Sequence, residues 1–279
     1  MKRAPKSKGF QAALDVVCAL RSPGGCPWDR EQTHLSLRPF LLEEAHELLE
    51  VLDQRRVDPE KLKEELGDVL LQVLLHARLA EERGHFTAHD VADSLARKLV
   101  RRHPHVFGSA KLKTASAVIG RWERIKNQEK KGRRVLDGIP KSLPSLQRAA
   151  KVIDRVSRVG FQWENLAGPL EKLREEMSEL ENDLARLGAA RRVTKGSVKN
   201  KLLRFQIEAE VGDVLFSLVN VCYFLGIEPE GALRSMLSRF EGRFRHVENR
   251  VKKSGKRFQD HSLEELDVFW NEAKRRRNT

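Results

Sequence analysis

Twice along the chain, a pair of acidic residues three apart is followed by a second such pair: Glu44 and Glu47 with Glu65 and Asp68, then Glu176 and Glu179 with Glu210 and Asp213. Positions i and i+3 share a helix face, so each group can converge four carboxylates from two neighbouring helices. Carboxylate oxygens are the donors that Mg²⁺ selects, with Mn²⁺ a workable substitute. The predicted chemistry is a hard-cation site built twice, with all eight residues as candidate metal ligands.

The helices that would carry the second pair of each group are strongly apolar. Asp68 opens the run Val69-Leu70-Leu71-Gln72-Val73-Leu74-Leu75-His76, and Asp213 opens Val214-Leu215-Phe216-Ser217-Leu218-Val219. At about 100° per residue, Glu65, Asp68, Gln72 and His76 form one stripe, which Glu210, Asp213 and Ser217 repeat. A helix apolar on most sides is expected to be buried, and a buried carboxylate needs positive compensation. Gly67 and Gly212 precede the aspartates inside these helices, where glycine costs roughly 0.5–1 kcal/mol relative to alanine. Their recurrence predicts that a ligand or a second backbone approaches closely there.

Other residues come into register when the halves are aligned on their acids. Gly25-Cys26-Pro27-Trp28 matches Gly160-Phe161-Gln162-Trp163, Lys98 and Arg102 match Arg239 and Arg243, and Trp122 and Lys126 match Trp270 and Lys274. The common order predicts an internal duplication. The expected fold is all-α: two tandem helical-bundle domains, 1–136 and 145–279, joined by a linker at 137–144 that holds Gly138, Pro140 and Pro144. The first half reads as helices near 10–21, 38–54, 59–83, 88–103 and 115–131, with a similar set beginning near Ser145. The connector from Leu187 to Lys201 is expected to be a mobile surface loop near a polyphosphate entrance.

Composition narrows the function classes. The 279 residues have room for two modest cores. The three cysteines lack C-x-x-C spacing, which argues against a disulfide framework or zinc knuckle and fits a reducing cytoplasm. No segment is long and apolar enough to cross a bilayer. The net charge of +13 is compatible with nucleic acid, acidic membranes or small polyphosphates, but no nucleic-acid motif accompanies it, so nucleic acid is not expected as the main ligand. Neither a Walker loop nor a Gly-x-Gly-x-x-Gly fingerprint is present, so phosphates would be held by metal and side chains. His103 and His105 read as a helix end, and Trp270 as either a base-stacking or a packing residue.

The segments Gly25-Cys26-Pro27-Trp28-Asp29, Glu43-Glu44-Ala45-His46-Glu47, Glu65-Leu66-Gly67-Asp68, Arg101-Arg102-His103-Pro104-His105-Val106-Phe107 and Glu210-Val211-Gly212-Asp213 together resemble the MazG family, from about residue 10 to residue 275. The resemblance implies an all-α, homodimeric enzyme that cleaves nucleoside triphosphates to monophosphate and pyrophosphate with Mg²⁺, with broad specificity and a housekeeping role. By position, Glu176, Glu179, Glu210 and Asp213 look like the metal ligands of a catalytic C-terminal site. Arg239, Arg243 and Lys274 would be its phosphate-binding cations, with Trp270 beside them. Lys98, Arg102, Trp122 and Lys126 would be the substrate-binding counterparts in the first half. A lysine that the family commonly places seven residues before the motif aspartate is Gln206 here. An alternative reading makes the protein a nucleotide-sensing or RNA- or protein-binding module with little turnover.

Overall fold

The computed structural model describes residues 7–110, 112, 114–129, 132, 134–186 and 200–275. Among them are twelve α-helices and no strand. The chain divides into two compact units, 1–132 and 133–279. Of the connector expected from Leu187 to Lys201, residues 187–199 lie outside the described residues, and Asn200 and Lys201 cap and begin a helix.

The first unit holds α1 (Gly9–Arg21), α2 (Pro27–Glu31), α3 (Arg38–Leu52), α4 (Pro59–Glu81), α5 (Ala88–Arg102), α6 (Pro104–Phe107) and α7 (Ala115–Gln128). Local chemistry sets the ends. Asp58 caps α4 by accepting from the Glu60 amide, with Pro59 at the first helical position, and Thr87 with Asp90 closes a capping box on α5. The short α2 adds a helix between the expected ones near 10–21 and 38–54. Pro27 starts it, with its missing N–H at a position that has no intrahelical partner.

The core of this unit is Val17, Leu37, Leu74, Leu75 and Leu79, with Ala13, Leu14, Phe40 and Leu70 packed around it. Each fully buried leucine contributes about 1.5–3 kcal/mol, which holds α1 and α3 against α4. Arg21 ties the entry to α3 onto this core. Its guanidinium donates to both carboxylate oxygens of Glu82 at 3.0 and 2.8 Å and to the backbone carbonyls of Asp29 and Gln32.

The second unit holds α8 (Ser145–Ser157), α9 (Ala167–Ala185), α10 (Lys201–Leu225), α11 (Pro229–Ser254) and α12 (Leu263–Arg275), with a 3₁₀ turn at Phe258–Asp260. Here α9 pairs with α10 as α3 pairs with α4, and α8 packs on α10 as α1 packs on α4. Asn200 caps α10, and Gly226 ends it in the left-handed conformation, φ +65°. The chain then bends by 102° into α11. No single helix among the described residues is long and apolar enough to cross a membrane.

The apolar helices are not buried all round, contrary to expectation. Leu66, Leu71 and Val73 on α4 and Leu202, Phe205, Val211, Leu215 and Leu218 on α10 are exposed. One face of each helix packs inward, and the other lies open on its unit.

Candidate metal and phosphate site

In each unit, two neighbouring helices bring three carboxylates together. Glu44 and Glu47 on α3 meet Glu65 on α4, and Glu176 and Glu179 on α9 meet Glu210 on α10; within each trio the ligand oxygens all lie within 4.8 Å of one another. Asp68 and Asp213 stand outside the tight trios. Their charges still act on them, Asp68 on Glu44 and Glu65, and Asp213 on Glu210.

The electrostatics match crowded carboxylates in each unit. Burial, followed by neighbouring carboxylates, pushes the pKa of Glu44, Glu65 and Glu210 above the ordinary carboxylate value. Glu176 is buried, and one carboxylate oxygen of Glu210 is shielded from solvent with no hydrogen-bond partner among the described residues. Unpaired buried acceptors are rare because desolvation is costly. An all-oxygen donor set with an orphaned acceptor fits a hard divalent ion.

Gly67 and Gly212 do not have the predicted close neighbour. A Cβ built on either glycine meets nothing within 4 Å, so no second backbone among the described residues makes the close approach. On α5, His103 ends the helix with its Nδ1 2.6 Å from the Leu99 carbonyl. His76, read from sequence as part of the acidic stripe, is engaged elsewhere. Its Nδ1 is 2.8 Å from Nδ1 of His34, and the ring planes are parallel within 6°.

Two residues that sequence reasoning passed over distinguish the second cluster from the first. Lys172, one turn before Glu176, places its ammonium 2.8 Å from Glu176 and 2.9 Å from Glu175. Asp183, one turn after Glu179, raises the pKa of Glu210 and is itself paired with Arg186 at 2.8 Å. The signal was present as the stripe 172, 176, 179, 183 along α9, which extends the acid pair by one turn at each end. In the first unit the corresponding positions are Phe40, packed edge-on to Trp28, and buried Val51.

The predicted cations lie on other helices. In the second unit, Arg239 donates to Ser235 Oγ at 3.1 Å, and the Arg243 guanidinium sits 5.8 Å from the Trp270 ring. The Nε of Arg243 is buried without a hydrogen-bond partner among the described residues. Trp270 also packs 4.9 Å from Phe240, and Lys274 is exposed in the last turn of α12. No ion pair joins Arg239, Arg243 or Lys274 to the acidic trio among the described residues.

In the first unit Lys98 is exposed, and Arg102 is tied to Glu129 and lies 5.3 Å from the Trp122 ring. Arg102, with Arg101 beside it, pulls the Glu129 carboxyl down to about 2. The side chain of Lys126 lies outside the described residues.

Fold and site together define an all-helical protein with a carboxylate cluster on each of two units. Residues 32–107 match the MazG nucleotide pyrophosphohydrolase domain. The chain is 41% identical over 268 residues to the nucleoside triphosphate pyrophosphohydrolase/pyrophosphatase MazG of Thermotoga maritima, covering 95% of both chains. It is 39% identical over 266 residues to a nucleoside triphosphate pyrophosphohydrolase of Escherichia coli, covering 94% of this chain and 95% of that one. A nucleoside triphosphate pyrophosphohydrolase of Mycolicibacterium smegmatis is 42% identical over 175 residues, 60% of this chain and 52% of that one. The chain belongs to the MazG nucleotide pyrophosphohydrolase family.

Proposed function

We propose that this protein hydrolyses nucleoside triphosphates to monophosphate and pyrophosphate, and that the cluster on α9 and α10 is where it does so. The activity for which the relatives are named supports the reaction class. The observation that carries the site is the trio Glu176, Glu179 and Glu210, whose shielded, unpartnered oxygen calls for a cation. Glu176, Glu179, Glu210 and Asp213 would hold Mg²⁺, or Mn²⁺ in its place. When bound, the ion supplies an activated water at neutral pH and neutralises charge on the departing pyrophosphate.

The chain's own cations do the rest. Lys172 balances Glu176 in the resting protein and turns to the phosphates when a cation takes that carboxylate. Arg243, with a shielded N–H free to donate, and exposed Arg239 and Lys274 grip the non-reacting phosphate oxygens and stabilise charge as it develops. The first unit keeps the acid trio of Glu44, Glu47 and Glu65, but Phe40 stands in the place of Lys172 and Arg102 is already neutralised by Glu129. We therefore assign turnover to the second unit, and a cation- or nucleotide-sensing role to the first. Broad acceptance of bases, a cytoplasmic setting consistent with three free cysteines, and a homodimer covering the exposed faces of α4 and α10 complete the proposal.

The test is product analysis on the purified full chain with Mg²⁺, comparing wild type, Asp213→Asn and Asp68→Asn. Pyrophosphate without orthophosphate from wild type, lost in Asp213→Asn and retained in Asp68→Asn, is the expected result. Absence of pyrophosphate from wild type with both metals refutes the activity, and the opposite pattern in the variants reverses the assignment of units.

A further inference from the structure

The chain reverses between α11 and α12 at Gly255, which follows α11 in the left-handed conformation, φ +73°. The reversal brings three side chains into one line. Ser254 Oγ, at the exposed end of α11, lies 2.9 Å from His261 Nε2, and His261 Nδ1 lies 3.1 Å from Oε2 of Glu265 in the first turn of α12. The imidazole is 4% exposed and meets the Phe269 ring edge to face at 5.7 Å, so it is held in place while Ser254 stays open to solvent. None of the three belongs to the acidic clusters or to the cations assigned to them.

The bonds fix which nitrogen carries the proton. The Ser262 amide donates to Glu265 at 3.1 Å and, with His261 second to it, holds the Glu265 carboxyl below the ordinary carboxylate range. An ionised carboxylate only accepts, so in the neutral imidazole the hydrogen sits on Nδ1 and the lone pair of Nε2 faces Ser254. The serine hydroxyl has two acceptors, the Val251 carbonyl at 2.7 Å and Nε2 at 2.9 Å. Of the two, only Nε2 is a base that can carry the proton away. The Lys256 amide donates to the same Oγ at 3.2 Å and stabilises negative charge developing there. Nucleophile, base and orienting acid thus stand in the order of an activated serine. Exposed Lys252, Lys253 and Lys256 flank it in the chain, and the Lys256 charge acts on Glu265, so an anionic reactant is drawn to this end of α11.

We propose that Ser254 is a nucleophilic serine, with His261 as its base and Glu265 as the positioning residue, and that it takes an acyl group from acyl phosphates. His261 Nε2 receives the hydroxyl proton as the bond from Oγ to the acyl carbon forms. The bond from that carbon to the phosphate oxygen breaks, phosphate leaves with the electron pair, and the proton passes to it from His261. The product is an O-acyl serine. The reaction shares no residue with the α9–α10 cluster and stands independently of the activity proposed there.

The test is incubation of the full chain with acetyl phosphate in the absence of nucleotide, an acid quench, and peptide mass mapping before and after alkaline hydroxylamine. Hydroxylamine removes an O-acetyl ester and leaves the amide of an acetylated lysine, so the two fates are separable. Wild type is expected to carry a hydroxylamine-labile acetyl group on Ser254. His261→Asn should slow its formation by about 10²-fold. Glu265→Gln should lower the maximal rate at an unchanged half-saturating concentration, which a general loosening of the turn would not do. Ser254→Ala should lose the labile group and keep the wild-type circular dichroism spectrum. Acetyl groups found only as hydroxylamine-stable amides on wild type overturn the proposal, whatever the variants do. Labelling of Ser254 at an undiminished rate in His261→Asn overturns it equally.

Discussion

Replacing Lys172 with methionine removes the one cation that, among the described residues, is paired with the trio Glu176, Glu179 and Glu210. The ammonium lies within 2.9 Å of both Glu175 and Glu176, and the Glu176 side chain is only 8% exposed. A divalent ion that uses Glu176 must first displace it. Removal of that competitor should tighten Mg²⁺ binding by about two- to fivefold, the scale of a solvent-screened ion pair. The same change deletes a phosphate contact, which should lower kcat/KM by roughly tenfold or more at saturating metal. Metal affinity is read from Mn²⁺ titration by electron paramagnetic resonance without substrate, and kcat/KM from pyrophosphate release. The opposite signs are the signature of a residue that alternates between carboxylate and phosphate. Weaker metal binding together with lower activity means that Lys172 merely supports the fold of α9, and no change in either means that the pair is incidental; both results refute the reasoning.

Three further outcomes follow from the geometry. Arg21→Met should cost about 2–3 kcal/mol at pH 7, because a buried guanidinium is lost while Arg78 remains beside Glu82 at 3.2 Å. The Arg21 hydrogen bond lowers the Glu82 pKa below 4.5, so the pair's contribution is full above that pH and is lost as pH falls through the depressed value. Denaturant melts at pH 7 and pH 3 should show the wild-type advantage shrinking at the lower pH. Gly212→Ala, on a helix with open space at the Cβ, should raise stability by about 0.5–1 kcal/mol in the same melts, and a loss instead would show that something approaches α10 in the assembled protein. Mg²⁺ should raise the Tm of wild type, and removal of one acid from each trio in Glu44→Gln/Glu210→Gln should abolish the increase, as measured by calorimetry with EDTA as the reference.

Much of the helical framework was legible because its signals are local. Apolar spacing placed α3, α4 and α5 to within two residues, and the Pro and Gly residues marked several of their ends. The acid pairs were legible for the same reason, since i, i+3 spacing on two consecutive helices needs no tertiary information to imply convergence. Lys172 and Asp183 were missed because charged residues a turn away read as solvated helix surface. Their importance depends on how α9 faces α10. At Gly67 and Gly212 a costly residue type pointed to a ligand or a second backbone, and among the described residues no backbone comes close to either. The line of Ser254, His261 and Glu265 lay beyond sequence reasoning altogether. It depends on the reversal at Gly255, which returns the start of α12 to the end of α11.

The central claim is that carboxylates from α9 and α10 hold the cation that drives release of pyrophosphate. Phosphorus NMR of a nucleoside triphosphate incubated with Mg²⁺ and either wild type or Glu210→Gln tests it directly. The account predicts one pyrophosphate resonance growing with the monophosphate signal for wild type and an unchanged triphosphate for the variant. Orthophosphate and diphosphate from wild type, or undiminished pyrophosphate from the variant, would contradict it.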